Sequence, residues 1–231
     1  MVSLGTARWM APLSFGMDFG CQLYGMLSSP NMKQISDKYV AHFSPLPIMI
    51  AVFFGPQQIF QLYWLRKLWS KDATQDQIDY VPYYTLGNLC IAVWMIFWNN
   101  EMLHVSDIFV MINSLSQLYY VFARLPPMDA QNWPTHIVAK TFAGIGVLDA
   151  LHNTSAAFFP GATATLPDYL LAGIGFTAGT LLSDGIFGAC LVYDLLALYL
   201  GQTGNWQNFL GVAAVGNGLI VAIKSIVMYR R

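Results

Sequence analysis

Asp149, His152 and Asn153 stand at i, i+3 and i+4 of "LDALHNTS", so a helix would carry all three on one face. An acid beside an imidazole can hold the ring in one tautomer and make it a general base or a proton relay. The alternative is a hydrogen-bonded polar patch near a helix end. A second candidate lies in "GTLLSDGIFGACLVYDLLALYLGQ", residues 179–202, where Asp184 and Asp194 interrupt a largely apolar run. Asp184 falls near the middle of the run with Gly173, Gly175, Gly179, Gly185 and Gly188 around it. Small residues let helices approach closely, so Asp184 is expected to point into a helix interface, where a carboxyl in a greasy pocket suits general-acid work. Asp194, nearer one end, reads as a boundary anchor.

The turn "NNEMLHVSD" brings Asn100, His104 and Asp107 onto one face if a helix runs through it, with Glu101 to the side. The drop in hydropathy favours a solvated turn instead, set at a cavity mouth. Lys224 follows Asn217 by one heptad in the last apolar segment; so near the C-terminus it can snorkel to the interface. Lys140 reads the same way. Cys21, Cys90 and Cys190 are scattered without CxxC spacing and behave as small apolar fillers. No metal site and no cofactor is expected.

These groups need a scaffold, and composition names its solvent. The chain has 231 residues, 56% hydrophobic and 10% charged, against about a quarter charged in soluble domains. The expected fold is all-α: a polytopic transmembrane helical bundle of about seven spans, forming one integral membrane domain over residues 1–231. A net charge of −1 offers no electrostatic case for nucleic acid. The partners expected are the lipid bilayer and a hydrophobic small molecule, and the expected compartment is the endoplasmic reticulum or another endomembrane. The N-terminus lacks a basic region, a long apolar core and a small-residue cleavage site, so a removed signal peptide is not expected.

Apolar segments begin near residues 9, 45, 80, 108, 135, 168 and 208. The stretch 168–200 is too long for one upright span, at about 50 Å against a hydrocarbon core of about 30 Å. One tilted helix is preferred to two short ones broken near Ser183-Asp184-Gly185. Arg66, Lys67, Lys71 and Arg124 mark one side as cytoplasmic, but seven spans put Arg230 and Arg231 on the other. An eighth segment, or a first segment that does not span, removes that conflict. The tripeptide Gln-Leu-Tyr recurs at residues 22, 61 and 117, each late in a span, and reads as an interfacial belt.

"SDGIFGACLVY" resembles the late-span Asp-Gly-x-aromatic-Gly stretch of the fungal integral-membrane terpene cyclases, which are of similar size and have seven spans. That resemblance implies a role for Asp184 in protonating an epoxide or alkene. An early span of that family carries an Asn before a Trp-Glu pair; here Asn88 precedes Trp94, and the nearest acid is Glu101. "FFGPQQIFQLYWLRKL" also resembles the Pro-Gln span of PQ-loop transporters, and Pro56 would free backbone carbonyls there.

Two function classes fit these groups. An enzyme would use Asp184, Asp149, His152 and Glu101 as acid and base on an isoprenoid or other lipid-soluble substrate. Asn88, Trp94, Trp98, Asn153, Phe187 and Asn217 would line its site, with Tyr83 and Tyr84 among the rings able to stabilise positive charge. A proton-coupled small-solute transporter or channel would use the same groups as a relay. A non-catalytic assembly protein is the third possibility.

Overall fold

The computed structural model describes residues 2–229. Nine helices, and no strand, occur among the described residues: α1 (Leu4–Leu27), α2 (Met32–Lys38), α3 (Pro47–Lys67), α4 (Gln75–Asn99), α5 (Leu103–Tyr119), α6 (Trp133–Phe158), α7 (Leu166–Leu182), α8 (Gly185–Gly201) and α9 (Gly204–Tyr229). The starts follow local chemistry. Ser3 accepts from the Thr6 amide, Thr74 from Gln77, and Asn31 with Gln34 closes a capping box at α2. Pro47 opens α3, where the missing N–H costs nothing. Inside α3, Pro56 has no N–H for the Val52 carbonyl. A π-helical turn at Leu171–Gly175 interrupts α7, and a second, Tyr120–Arg124, extends α5.

Three helices, Pro47–Lys67, Gln75–Asn99 and Gly204–Val227, are long and apolar enough to cross a membrane by themselves. The remaining long helices carry more polar residues or are shorter, and several are enclosed by neighbours. Lipid is a sufficient reason for so many large apolar side chains on the outside, among them Trp9, Ile59, Leu182 and Val212.

The expected single tilted helix over 168–200 is corrected. The chain breaks at Ser183-Asp184 into two antiparallel helices, with Gly179 against Leu191 and Gly188 against Thr180. Each has 17 residues, about 25 Å long. Two short helices are tolerated because their facing ends are capped inside the bundle. The polar, Pro- and Ser-containing residues 29–45 hold the short helix α2, and the first segment is one helix despite Pro12.

Eight long helices thus alternate in direction, α2 lying across one end. Of the eleven Lys and Arg, Arg230 and Arg231 lie outside the described residues; of the remaining nine, seven sit toward the end that holds the α3–α4 loop and the α7–α8 turn. Arg8 donates to the Leu68 carbonyl there at 2.7 Å, and Lys67 faces the Gln131 carbonyl at 3.4 Å. Only Lys33 and Lys38 lie opposite. Positive charge thus gathers at the first end, and the described end of α9 returns to it.

Close packing of α6 on α8 depends on Gly144, where an added Cβ would come 2.3 Å from the Cys190 Cβ. Gly144→Ala is expected to lower stability by about 1–3 kcal/mol, measured by thermal unfolding in detergent. Cys190→Gly should restore most of the loss; no rescue would show that the clash lies elsewhere.

Candidate functional site

Asp184 is not a mid-helix acid. It is the N-cap of α8, accepting from the Ile186 and Phe187 amides at 3.1 Å each, and it pairs with Lys140. Lys224 does not snorkel to water; it donates to the carbonyls of Thr180, Leu181 and Ser183, the open C-terminal groups of α7. Lys140 is likewise buried and paired. The α7–α8 turn is therefore held by two lysines and one acid.

Glu101 lies at the opposite end of the bundle, in the three-residue turn between α4 and α5, with φ +57°. That left-handed region is uncommon for a side chain of this kind; the carboxylate is held by Lys38 and by the Tyr39 hydroxyl at 2.6 Å. Lys38 and then Tyr39 keep Glu101 below its ordinary 4.5, and Glu101 keeps Lys38 above its ordinary 10.5. A lowered acid contributes stability above its ordinary value and loses it as pH falls through the lowered one; the raised lysine loses its share as pH climbs through the raised one. Amide protection of α2, corrected for intrinsic exchange, is expected to hold from neutral pH down to 4.5 and fall below it. Glu101→Gln should show the low-pH protection throughout. Protection unchanged by acid and by the substitution would mean that the pair does not dock α2.

His152, Asn153, Trp94 and Trp98 meet between α4 and α6, and Asp149 joins them through its backbone carbonyl. Asn153 accepts from Trp94 Nε1 at 2.7 Å and donates to the Asp149 carbonyl at 2.8 Å. The His152 ring lies 5.7 Å from that of Trp98. Asn88 is buried and donates to the Tyr84 carbonyl. Phe187 packs edge-on to Phe122, and Asn217 is buried against α7, within 3.4 Å of Thr177 Oγ1.

Asp194, expected at a boundary, is fully buried in the middle of α8, and neither carboxyl oxygen has a hydrogen-bond partner among the described residues. Asp149 on α6 and Asp18 on α1 are further acids inside long helices, both half-buried. The three acids occupy the middle of α8, α6 and α1, which run in the same direction. The basic side chains of the bundle lie toward its ends: Lys140 is committed to Asp184 and Lys224 to carbonyls.

The Gln-Leu-Tyr reading is corrected as well. Gln61 and Gln117 are buried, while Tyr63 and Tyr119 face outward. Residues two apart on a helix point about 200° apart, so the tripeptide turns its amide in and its ring out. Gln117 accepts from the Tyr80 hydroxyl at 2.8 Å. Gln61 accepts from Tyr84 at 2.6 Å and donates to Gln57 at 2.8 Å.

Two grooves open on the bundle's outer surface. One, of about 230 Å³, lies among α5, α6, α7 and α8 with an apolar lining that includes Phe122, Leu151 and Phe187. The other, of about 370 Å³, lies among α3, α6 and α8 and carries Gln57, Thr141 and Tyr193 on otherwise apolar walls. Neither lining contains a carboxylate. The acids proposed for catalysis, Asp184, Glu101 and Asp149, are thus spread from one end of the bundle to the other.

No significant match was found among curated proteins or among solved structures. The family model described as TSPO-like protein matches residues 20–227. That match overturns the resemblance to fungal terpene cyclases, which rested on a short stretch around Asp184, a residue now accounted for as a helix cap. It covers α3 to α8 entirely and most of α9, so the integral membrane bundle and the family agree: the chain belongs to the TSPO-like protein family.

Proposed function

We propose that the chain is a proton-coupled transporter of a small lipid-soluble solute. The observation that carries this reading is Asp194, fully buried in the membrane bundle with no donor on either oxygen among the described residues. A charged side chain at the bilayer centre costs about 2.5–3.5 kcal/mol on insertion scales, and such residues mark proton relays in pumps and transporters. Without a cation beside it, a carboxyl at that depth is made neutral by taking up a proton. The half-buried His152, one turn along α6 from Asp149, extends the row toward the end of the bundle that carries α2. Membership of a membrane-protein family supports the same reading.

The test is proton movement in liposomes loaded with a pH-sensitive dye, under an inside-negative potential. Influx above that of empty liposomes is expected for the native protein and should be lost in Asp149→Asn. Influx equal to that of empty liposomes would sink the reading.

A further inference from the structure

We propose that the junction of α1 and α3, at the end of the bundle that holds the α3–α4 loop, is a binding site for an anionic phospholipid, its headgroup phosphate held by Arg8 and Arg66. The site uses none of the groups of the transport reading and stands apart from it.

Arg8 lies in the second turn of α1, and Leu68 is the residue that ends α3. Arg8 Nε donates to the Leu68 carbonyl at 2.7 Å, and the guanidinium carbon stands 5.7 Å from the centre of the Trp69 ring. One nitrogen thus closes the end of α3. The other two are left as a fork, the geometry that suits a phosphate. Arg66 is exposed three residues before Trp69, on the same side of the helix end.

These cations have no acid of their own. Neither arginine, nor the exposed Lys71 beyond them, forms an ion pair among the described residues. The neighbouring acids are engaged elsewhere: Asp72 faces the Ser70 hydroxyl at 3.4 Å, and Asp76 accepts from Asn132 at 2.8 Å. At the opposite end both lysines are paired, Lys33 with Asp37 and Lys38 with Glu101. An anion from outside the chain supplies what the first end lacks.

The surface next to the arginines identifies that anion as a lipid. Ile59, Leu62, Arg66 and Trp69 follow one another at helical spacing on α3, as do Trp9, Leu13 and Met17 on α1. The apolar members of both rows are exposed, Trp9 at 63% and Trp69 at 51%, and the two rings meet edge-on at 5.3 Å. Tryptophan sits at headgroup level. On both helices the order from the membrane centre outward is therefore aliphatic side chains, then ring and cation. An acyl chain lies along the first and its phosphate reaches the second.

In the test, the full chain is delipidated in an uncharged detergent and titrated with dioleoylphosphatidylglycerol or dioleoylphosphatidylcholine, and bound lipid is counted by native mass spectrometry. Phosphatidylglycerol is expected to bind about 25-fold more tightly, about fivefold for each arginine. Arg66→Gln, a change at an exposed position, should lower that preference about fivefold. Arg8→Gln should lower it at least as far, and the double variant should abolish it. Lys33→Gln, at the other end, should leave it unchanged. Glycerol phosphate at equal concentration should not displace the lipid, because it has the charge without the chains. Equal binding of the two lipids, or a preference untouched by Arg66→Gln, overturns the site. A loss in Lys33→Gln as large as in Arg66→Gln would reduce the effect to net charge, and displacement by glycerol phosphate would make this a free-anion site; either overturns the assignment to a lipid.

Discussion

Asp194→Leu is expected to make the protein harder to unfold while bringing proton influx down to the background of empty liposomes. Leucine has the same number and branching of side-chain heavy atoms as aspartate and has no polar atoms to desolvate. The native carboxyl is fully buried, and neither of its oxygens is hydrogen-bonded among the described residues. Relieving such a group is worth about 1–3 kcal/mol. A residue that lowers stability where it sits is retained for what it does, the usual trade between stability and activity. Asp194→Asn separates the two effects: it stays polar, so stability should change little, but it cannot exchange a proton, so influx should fall as far as in the leucine variant. Detergent unfolding and dye-monitored influx are read on the same preparations. A leucine variant destabilised by several kcal/mol would mean that the carboxyl has a partner, and the relay would lose its central member.

The bundle was legible because its evidence is bulk: a chain with one charged residue in ten and more than half hydrophobic has one solvent available to it. The site was less legible because depth depends on where helices end. With residues 168–200 taken as one rod, Asp184 falls at its middle and Asp194 near an end. With the break at Ser183-Asp184 the two exchange places. The signal was present, since Ser-Asp before a helical run is an N-cap pattern, but the usual span of about 20 residues argued against two short helices. What permits them is tertiary: Lys224, forty residues on, supplies the donors that the end of α7 lacks. The Gln57–Gln61–Tyr84 chain was hidden for a related reason. Nothing local separates an amide at the interface from one turned inward to a hydroxyl on another helix. Asp149, His152 and Asn153 could be grouped from the sequence because their spacing is local to one helix, whereas the partners of Asn153 and His152 on α4 are set by packing.

The α7–α8 turn should be the most sensitive structural point in the molecule outside the core. Asp184→Ala removes a cap, worth about 1 kcal/mol, and leaves Lys140, only 7% exposed, without its carboxylate. Stranding a buried charged donor adds about 1–3 kcal/mol, so a loss of about 2–4 kcal/mol is expected. Asp184→Asn should recover the cap and no more, because asparagine accepts from the same amides but carries no charge. Lys140→Met placed on Asp184→Asn should then regain the remainder, since the stranded ammonium is gone. A double-mutant cycle between positions 140 and 184 is expected to show coupling of about 0.5–3 kcal/mol. Throughout the series proton influx should track the amount of folded protein, because the turn lies about 15 Å from Asp194 along α8. If Asp184→Asn, folded and stable, abolished influx by itself, the carboxylate would be a working group as well as a cap, and the proton path would have to run from Asp194 along α8 to its first turn.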